Sequence, residues 1–151
     1  MAVRIVKGID GARRASGVVV VIDVLRAFTT AAYAFRAGLT EIELVSTVGE
    51  AFAVSGFRMG EVGGRLIPGF DHNNSPSRLV GHQLAGRGVL RTGSGTQCVV
   101  AATGASEVWL GSLVVASATA RALQDRHQVT LIASGPPHEG EVVLVHNVAV
   151  M

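Results

Sequence analysis

At 151 residues, with 48% hydrophobic and 16% charged side chains, the chain is sized for one domain and is too apolar for a disordered protein. Its net charge of +2 is dispersed, and only Trp109 and Tyr33 join the five phenylalanines, which excludes a basic, aromatic-studded nucleic-acid platform. The single cysteine, Cys98, excludes an internal disulfide framework, and no apolar run reaches the ~18 residues that would indicate a membrane span. The expectation is a cytoplasmic protein with no nucleic-acid or membrane partner.

In chain order, Ala2 to Ile9 reads as a short strand and Gly11 to Gly17 as a polar connection. Val18 to Val24 is a strand with no polar face, so both of its sides should be covered, as in the centre of a parallel sheet. It reaches Asp23 at its carboxyl end, and Arg26, Thr29 and Thr30 follow where a helix should run from Leu25 to Ala37. Glu41 to Ser46 is the next strand. Thr47, with Glu50 three residues on, forms a capping box for a short helix to about Ser55.

Met59 to Asn74 is dense in glycine and carries Glu61, Arg65, Asp71, His72, Asn73 and Asn74. It reads as a long functional loop. Ser75-Pro76 opens a helix expected to reach about Leu84. Strands follow at Gly88 to Thr92, Glu107 to Gly111 and Gln128 to Ala133. Between them lie helices at Gln97 to Thr103 and from Ser117 to Gln124, and a last apolar strand begins at Val142. The alternation predicts one α/β domain over residues 1–151, a three-layer α/β/α arrangement on a mainly parallel or mixed central sheet. The tail strand would leave an exposed edge, which predicts a homodimer that covers it.

Ligand sites in such sheets lie outside the carboxyl ends of the strands. Those ends here carry Asp23 to Thr30, Thr92 to Thr96, Gly111-Ser112 and, more weakly, Ser134-Gly135. Hydroxyls and backbone N–H groups in that rim suit a phosphate or sulfonate, and carboxylates can hold a divalent metal. Asp23 in this position serves equally as a helix cap. Gly93-Ser94-Gly95 is not a P-loop, because no Gly-Lys-Ser/Thr follows. Leu25 stands where a haloacid-dehalogenase site needs its second acid. His72, His82, His127, His138 and His146 show no metal-ligand spacing, and Cys98 reads as a buried small residue.

These residues resemble a known family. Val21-Ile22-Asp23-Val24-Leu25-Arg26-Ala27 with Thr29-Thr30 is similar to the first motif of the 2-phosphosulfolactate phosphatase family. Gly60-Glu61 through Gly64, then Ile67-Pro68-Gly69-Phe70-Asp71 and Asn74-Ser75-Pro76, resembles the second. Arg91 to Thr96, and Gly111-Ser112 with Ala116-Ser117-Ala118, resemble the third and fourth. The resemblance implies a Mg2+-dependent phosphatase that converts (2R)-2-phospho-3-sulfolactate to 3-sulfolactate and phosphate, a step towards coenzyme M. It implies Asp23 as metal ligand or nucleophile, Glu61 and Asp71 as metal ligands or acid/base groups, and Arg26 and Arg65 as anion clamps. Thr29, Thr30, Asn74, Ser75, Thr92, Ser94, Gly95, Thr96 and Ser112 would bind the small anionic phosphoester.

The chain departs from the pattern at three points. Ser94 and Val114 or Val115 stand where the family has asparagine, and Val62 follows Gly60-Glu61 where the family has arginine. The family's chain also continues into a Leu-Glu-Asp segment, for which Gly140-Glu141 is the nearest counterpart here. The alternative expectation is therefore a catalytically impaired homologue that binds small anions or forms an oligomer.

Overall fold

The computed structural model describes residues 2–135. In chain order its strands and helices are β1 (Ala2–Lys7), α1 (Gly8–Arg13), β2 (Gly17–Ile22), α2 (Ala27–Arg36), β3 (Glu41–Val45), α3 (Val48–Ala53), β4 (Phe57–Val62), β5 (Arg65–Leu66), β6 (Arg87–Arg91), α4 (Gly95–Ala101), β7 (Ala105–Gly111), α5 (Ala116–Leu123) and β8 (Gln128–Ala133). Single 3-10 turns cover Pro76–Leu79 and Leu113–Val115.

The strands form two four-stranded sheets, ordered β1-β8-β2-β7 and β3-β6-β4-β5. Every pairing is parallel except the β4–β5 hairpin. The protein is thus α/β with alternating elements and mainly parallel sheets. The expected single central sheet is replaced by two.

The apolar run of β2 is covered on both sides, as its sequence requires. Val19 and Val21 face a core shared by both sheets, which also holds Met59 of β4, Leu90 of β6, Phe28 and Ala31 of α2, and Cys98 of α4. Val20, between them, faces a separate cluster with Leu123 of α5 and with Val129 and Leu131 of β8. The second sheet has its own outer cluster, where Val45 and Val89 meet Ala51 of α3 and Phe70. Burying an aliphatic side chain contributes about 1.5–3 kcal/mol, so the shared core with α2 and α4 in it is a major force joining the sheets.

Several boundaries differ from the sequence reading. β2 stops at Ile22, and Val24 to Arg26 form a turn before α2 starts at Ala27. Met59 to Asn74 is not one loop: Phe57–Val62 is a strand that pairs with Arg65–Leu66. Gly63 and Gly64, at φ 58° and 79°, make the tight turn between them, which needs two left-handed residues in succession. The helix expected from Ser75 to Leu84 is one 3-10 turn, because the backbone at Val80 is already extended. Gly8–Arg13 is helical where the end of the first strand and the start of a connection were expected.

The capping box is present in full: the Thr47 hydroxyl accepts from Glu50 N at 3.1 Å, and the Glu50 carboxylate accepts from Thr47 N at 2.8 Å. The expected strand from Val142, and the dimer argued from it, lie outside the described residues. No helix among the described residues is long and apolar enough to cross a membrane.

Candidate functional site

The carboxyl ends of the two sheets meet at the segment Thr92 to Thr96, which leads from β6 into α4. On one side, the Gly93 N–H donates to Glu61 Oε1 of β4 at 2.7 Å. On the other, the Ser94 hydroxyl donates to the Ser134 carbonyl just past β8. The Ser134 hydroxyl in turn donates to Asp23 Oδ2 at 3.1 Å. A chain of contacts therefore runs from Glu61 through Gly93, Ser94 and Ser134 to Asp23, spanning both sheets.

Asp23 is only 8% exposed. Its Oδ1 accepts from Ala27 N, in the first turn of α2, at 3.0 Å, and its own N–H is held by the Gly111 carbonyl at 3.0 Å. The Gly95 N–H adds a looser contact. Burial pushes the Asp23 carboxyl above its ordinary value of 3.8. It outweighs the hydrogen bonds from Ala27 and Ser134, and the Glu61 charge pushes the same way. Each Glu61 oxygen accepts a backbone N–H, from Gly93 and, at 2.6 Å, from Gly64. Both acids are thus held at fixed positions before any ligand arrives.

The other hydroxyls divide by role. Thr96 Oγ1 accepts from Thr92 N at 2.9 Å and donates to Thr92 O at 3.0 Å, so this buried pair stiffens the turn into α4. Thr29 donates to Val24 O at 2.8 Å and closes the turn after Asp23. Thr30 Oγ1, Ser112 Oγ and the Asn74 side-chain oxygen are buried with no hydrogen-bond partner among the described residues. Such groups cost free energy unless something pairs with them. Arg26 is half-buried and makes no ion pair among the described residues.

Other candidates do not join the two acids. The Asp71 carboxylate accepts from Arg58 N at 2.8 Å and fixes the start of β4, while Glu61 lies near that strand's other end. Among the described residues no three His, Cys, Asp or Glu side chains gather to hold a metal ion. The expected trio of Asp23, Glu61 and Asp71 therefore does not assemble as a metal cluster, because Asp71 is engaged at the far end of β4. Arg65 is exposed on the hairpin. The Ser75 hydroxyl lies 3.4 Å from that of Ser77, and its carbonyl meets His72 Nε2 at 3.0 Å.

Three residues outside the sequence-based set matter to the geometry. Ser134 holds Asp23, although Ser134-Gly135 was the weakest of the strand ends. Arg91 donates to Glu61 O at 2.8 Å and to Ser46 O at 3.1 Å, tying β4, β3 and β6 together below the site. Gln97 donates to Ser46 O at 2.8 Å and Thr92 O at 2.9 Å. Arg91 stood inside the third motif, and its position at the end of a strand was the available signal. Cys98 is buried as expected, and burial, helped by the nearby Asp23 charge, pushes its thiol up to about 11.

The fold and site define an α/β protein with two preorganised carboxylates at convergent strand ends. The family model for 2-phosphosulpholactate phosphatase matches residues 3–144. A probable 2-phosphosulfolactate phosphatase of Bacillus subtilis is 38% identical over 108 residues, covering 68% of this chain and 47% of that protein. Its counterpart in Carboxydothermus hydrogenoformans is 42% identical over 124 residues, covering 78% of this chain and 51% of the relative. That of Deinococcus radiodurans is 42% identical over 111 residues, covering 69% and 46%. The chain spans about half the length of these curated relatives. It belongs to the 2-phosphosulfolactate phosphatase family.

Proposed function

We propose that the protein is a phosphatase that releases phosphate from a small anionic phosphoester, with (2R)-2-phospho-3-sulfolactate as the first candidate. The observation that carries this reading is Asp23: a buried carboxylate, pinned from two sides, that feels the charge of a second fixed carboxylate, Glu61, at the strand ends. Pinning fixes the acid in one orientation, so little reorganisation is needed during the reaction.

Magnesium fits this donor set in a carboxylate-poor form. The ion is commonly held by one or two carboxylates, with waters and substrate oxygens completing its shell. Asp23 and Glu61 would hold it, and when bound it would stabilise charge on the transferring phosphoryl group. Asp71 has no part in this reading. Arg26, next to the Asp23 turn, would hold a phosphate oxygen, with Arg65 reaching in from the hairpin. Asp23 would act as metal ligand or as nucleophile, and trapping of a phosphoenzyme by acid quench separates the two.

The test is phosphate release from 2-phosphosulfolactate and a panel of small phosphoesters, with and without Mg2+, on wild type and Asp23→Ala. Mg2+-dependent release that vanishes in the variant is the expected result. Binding of the phosphoester by folded protein without release would overturn the enzyme reading. It would favour a non-catalytic anion-binding protein, which the lack of a three-acid cluster among the described residues would also suit. The homodimer is likewise a proposal, tested by sedimentation.

A further inference from the structure

We propose that the cleft between α1 and the start of α4 receives the non-reacting acidic group of the substrate, and that Lys7 is the residue that selects it. This rests on the phosphatase reading and adds to it the place and the residue that recognise a carboxylate or sulfonate at the far end of the phosphoester.

The cleft encloses about 390 Å³ and is lined by Lys7, Asp10, Ser94, Gln97, Cys98 and Ser134, among others. It therefore opens beside the two serines that link α4 to Asp23. Lys7 and Ile22 both lie level with Ala133 of β8, one on each side of it. With neighbouring strands about 4.8 Å apart, the Lys7 and Ile22 backbones are about 10 Å apart. Asp23 follows Ile22 directly. A three-carbon skeleton held at Asp23, met by the flexible four-carbon stem of lysine, bridges that gap.

The cleft's other side-chain donors are already committed. The Ser134 hydroxyl donates to Asp23, the Ser94 hydroxyl to the Ser134 carbonyl, and the Gln97 amide to Ser46 and Thr92. The thiol of Cys98 lies 3.7 Å from the Ser134 carbonyl and stays protonated near neutral pH. Asp10, the one acid lining the cleft among the described residues, pairs with Arg13 at 3.2 Å. Among the described residues Lys7 makes no ion pair and is the only cation lining the cleft. An anion entering there has one charged donor to meet. A neutral group of the same size would gain nothing from it.

The experiment compares kcat/KM for 2-phosphosulfolactate and for glycerol 2-phosphate, which lacks both the carboxylate and the sulfonate, in wild type, Lys7→Met and Lys7→Arg. Lys7→Met should lower kcat/KM for the diacid about tenfold or more, mainly through KM, as expected for a lost charge-assisted contact. It should leave glycerol 2-phosphate within about twofold, and Lys7→Arg should restore most of the discrimination. Equal losses on both substrates, or none, would overturn the assignment. Should wild type release phosphate from neither substrate, the phosphatase reading fails while the cleft remains testable by titration calorimetry with 3-sulfolactate. Binding that weakens about tenfold in Lys7→Met supports the cleft. Binding unchanged by the substitution, or no binding to wild type, overturns it.

Discussion

Gly95 is where the structure makes its sharpest demand on one residue. A Cβ added there would lie 2.6 Å from Asp23 Oδ2, 3.0 Å from Ala27 Cβ and 3.1 Å from Asp23 Cβ. Oδ2 is the oxygen that Ser134 holds, and Ala27 closes off retreat towards α2, so Gly95→Ala must swing the carboxylate away. Overpacking of this kind costs about 1–3 kcal/mol. Alanine's better helix propensity returns at most about 1 kcal/mol, and less at the first residue of α4 than in a helix interior. The net destabilisation is about 1–2 kcal/mol, which lowers Tm by about 2–8 °C in a chain of this size. Displacing the carboxylate by about 1 Å should cut phosphate release about a hundredfold. Gly93→Ala is the matched control, because its Cβ would meet only Glu61 Oε1, at an ordinary 3.4 Å. Thermal melts and phosphate-release assays on the three proteins decide the matter. A Gly95→Ala protein that melts and turns over like wild type would refute the close packing of α4 on Asp23.

Three further outcomes are expected. Because folding raises the Asp23 pKa, the native state binds the extra proton, and stability from this group falls as pH rises from 3.8 through the raised value. Urea unfolding of wild type and Asp23→Asn from about pH 4 to 7 should show wild type losing ground to the variant as pH rises; a constant difference would contradict this. Cys98, buried with its thiol raised to about 11, should resist iodoacetamide at pH 8 in the folded state and react after denaturation, and fast native labelling would contradict the burial. Asp71→Ala should destabilise by about 1–2 kcal/mol by freeing the Arg58 amide, with its main effect on the urea midpoint; a large fall in kcat with the midpoint unchanged would return Asp71 to the site.

Local patterns in the chain were readable where local physics decides the structure. The unbroken apolar run ending at Asp23 marked β2, Thr47 with Glu50 marked the start of α3, and Gln128 to Ala133 is β8 to the residue. The two-sheet arrangement was not readable, because alternation does not say which strands pair. β2 is flanked by β7 and β8, both about a hundred residues downstream, and not by β3, which follows it in the chain. Glu61 was singled out as a candidate acid but assigned to a loop, since the surrounding glycines hid a strand. Gly60 is there because β4 runs so close to β6 that a Cβ would lie 2.1 Å from Arg91 O. Asp71 misled for a related reason. An acid in a polar string looks like a ligand, and its bond to a backbone amide 13 residues earlier leaves no trace in the pattern.

Asp23 could be read from sequence either as a helix cap or as a functional acid, and the structure shows the cap bond together with a burial that capping alone does not require. Glu50 supplies the comparison. It too accepts N–H groups at a helix start, and those bonds, with the Ser46 hydroxyl, lower its pKa, because water still reaches it. Asp23 accepts Ala27 N at the start of α2 and the Ser134 hydroxyl, yet its pKa moves up, because burial outweighs both bonds. An acid kept only as a cap gains most on the surface, where its charge carries no desolvation penalty. Burying it at the meeting point of two sheets, beside a second acid, works against stability. What burial supplies is a carboxylate with a fixed orientation and raised proton affinity in a place where electrostatic interactions are strong. The cap bond to Ala27 is then part of the positioning, since it sets which oxygen of Asp23 turns towards Ser134 and α4 and which turns towards the start of α2.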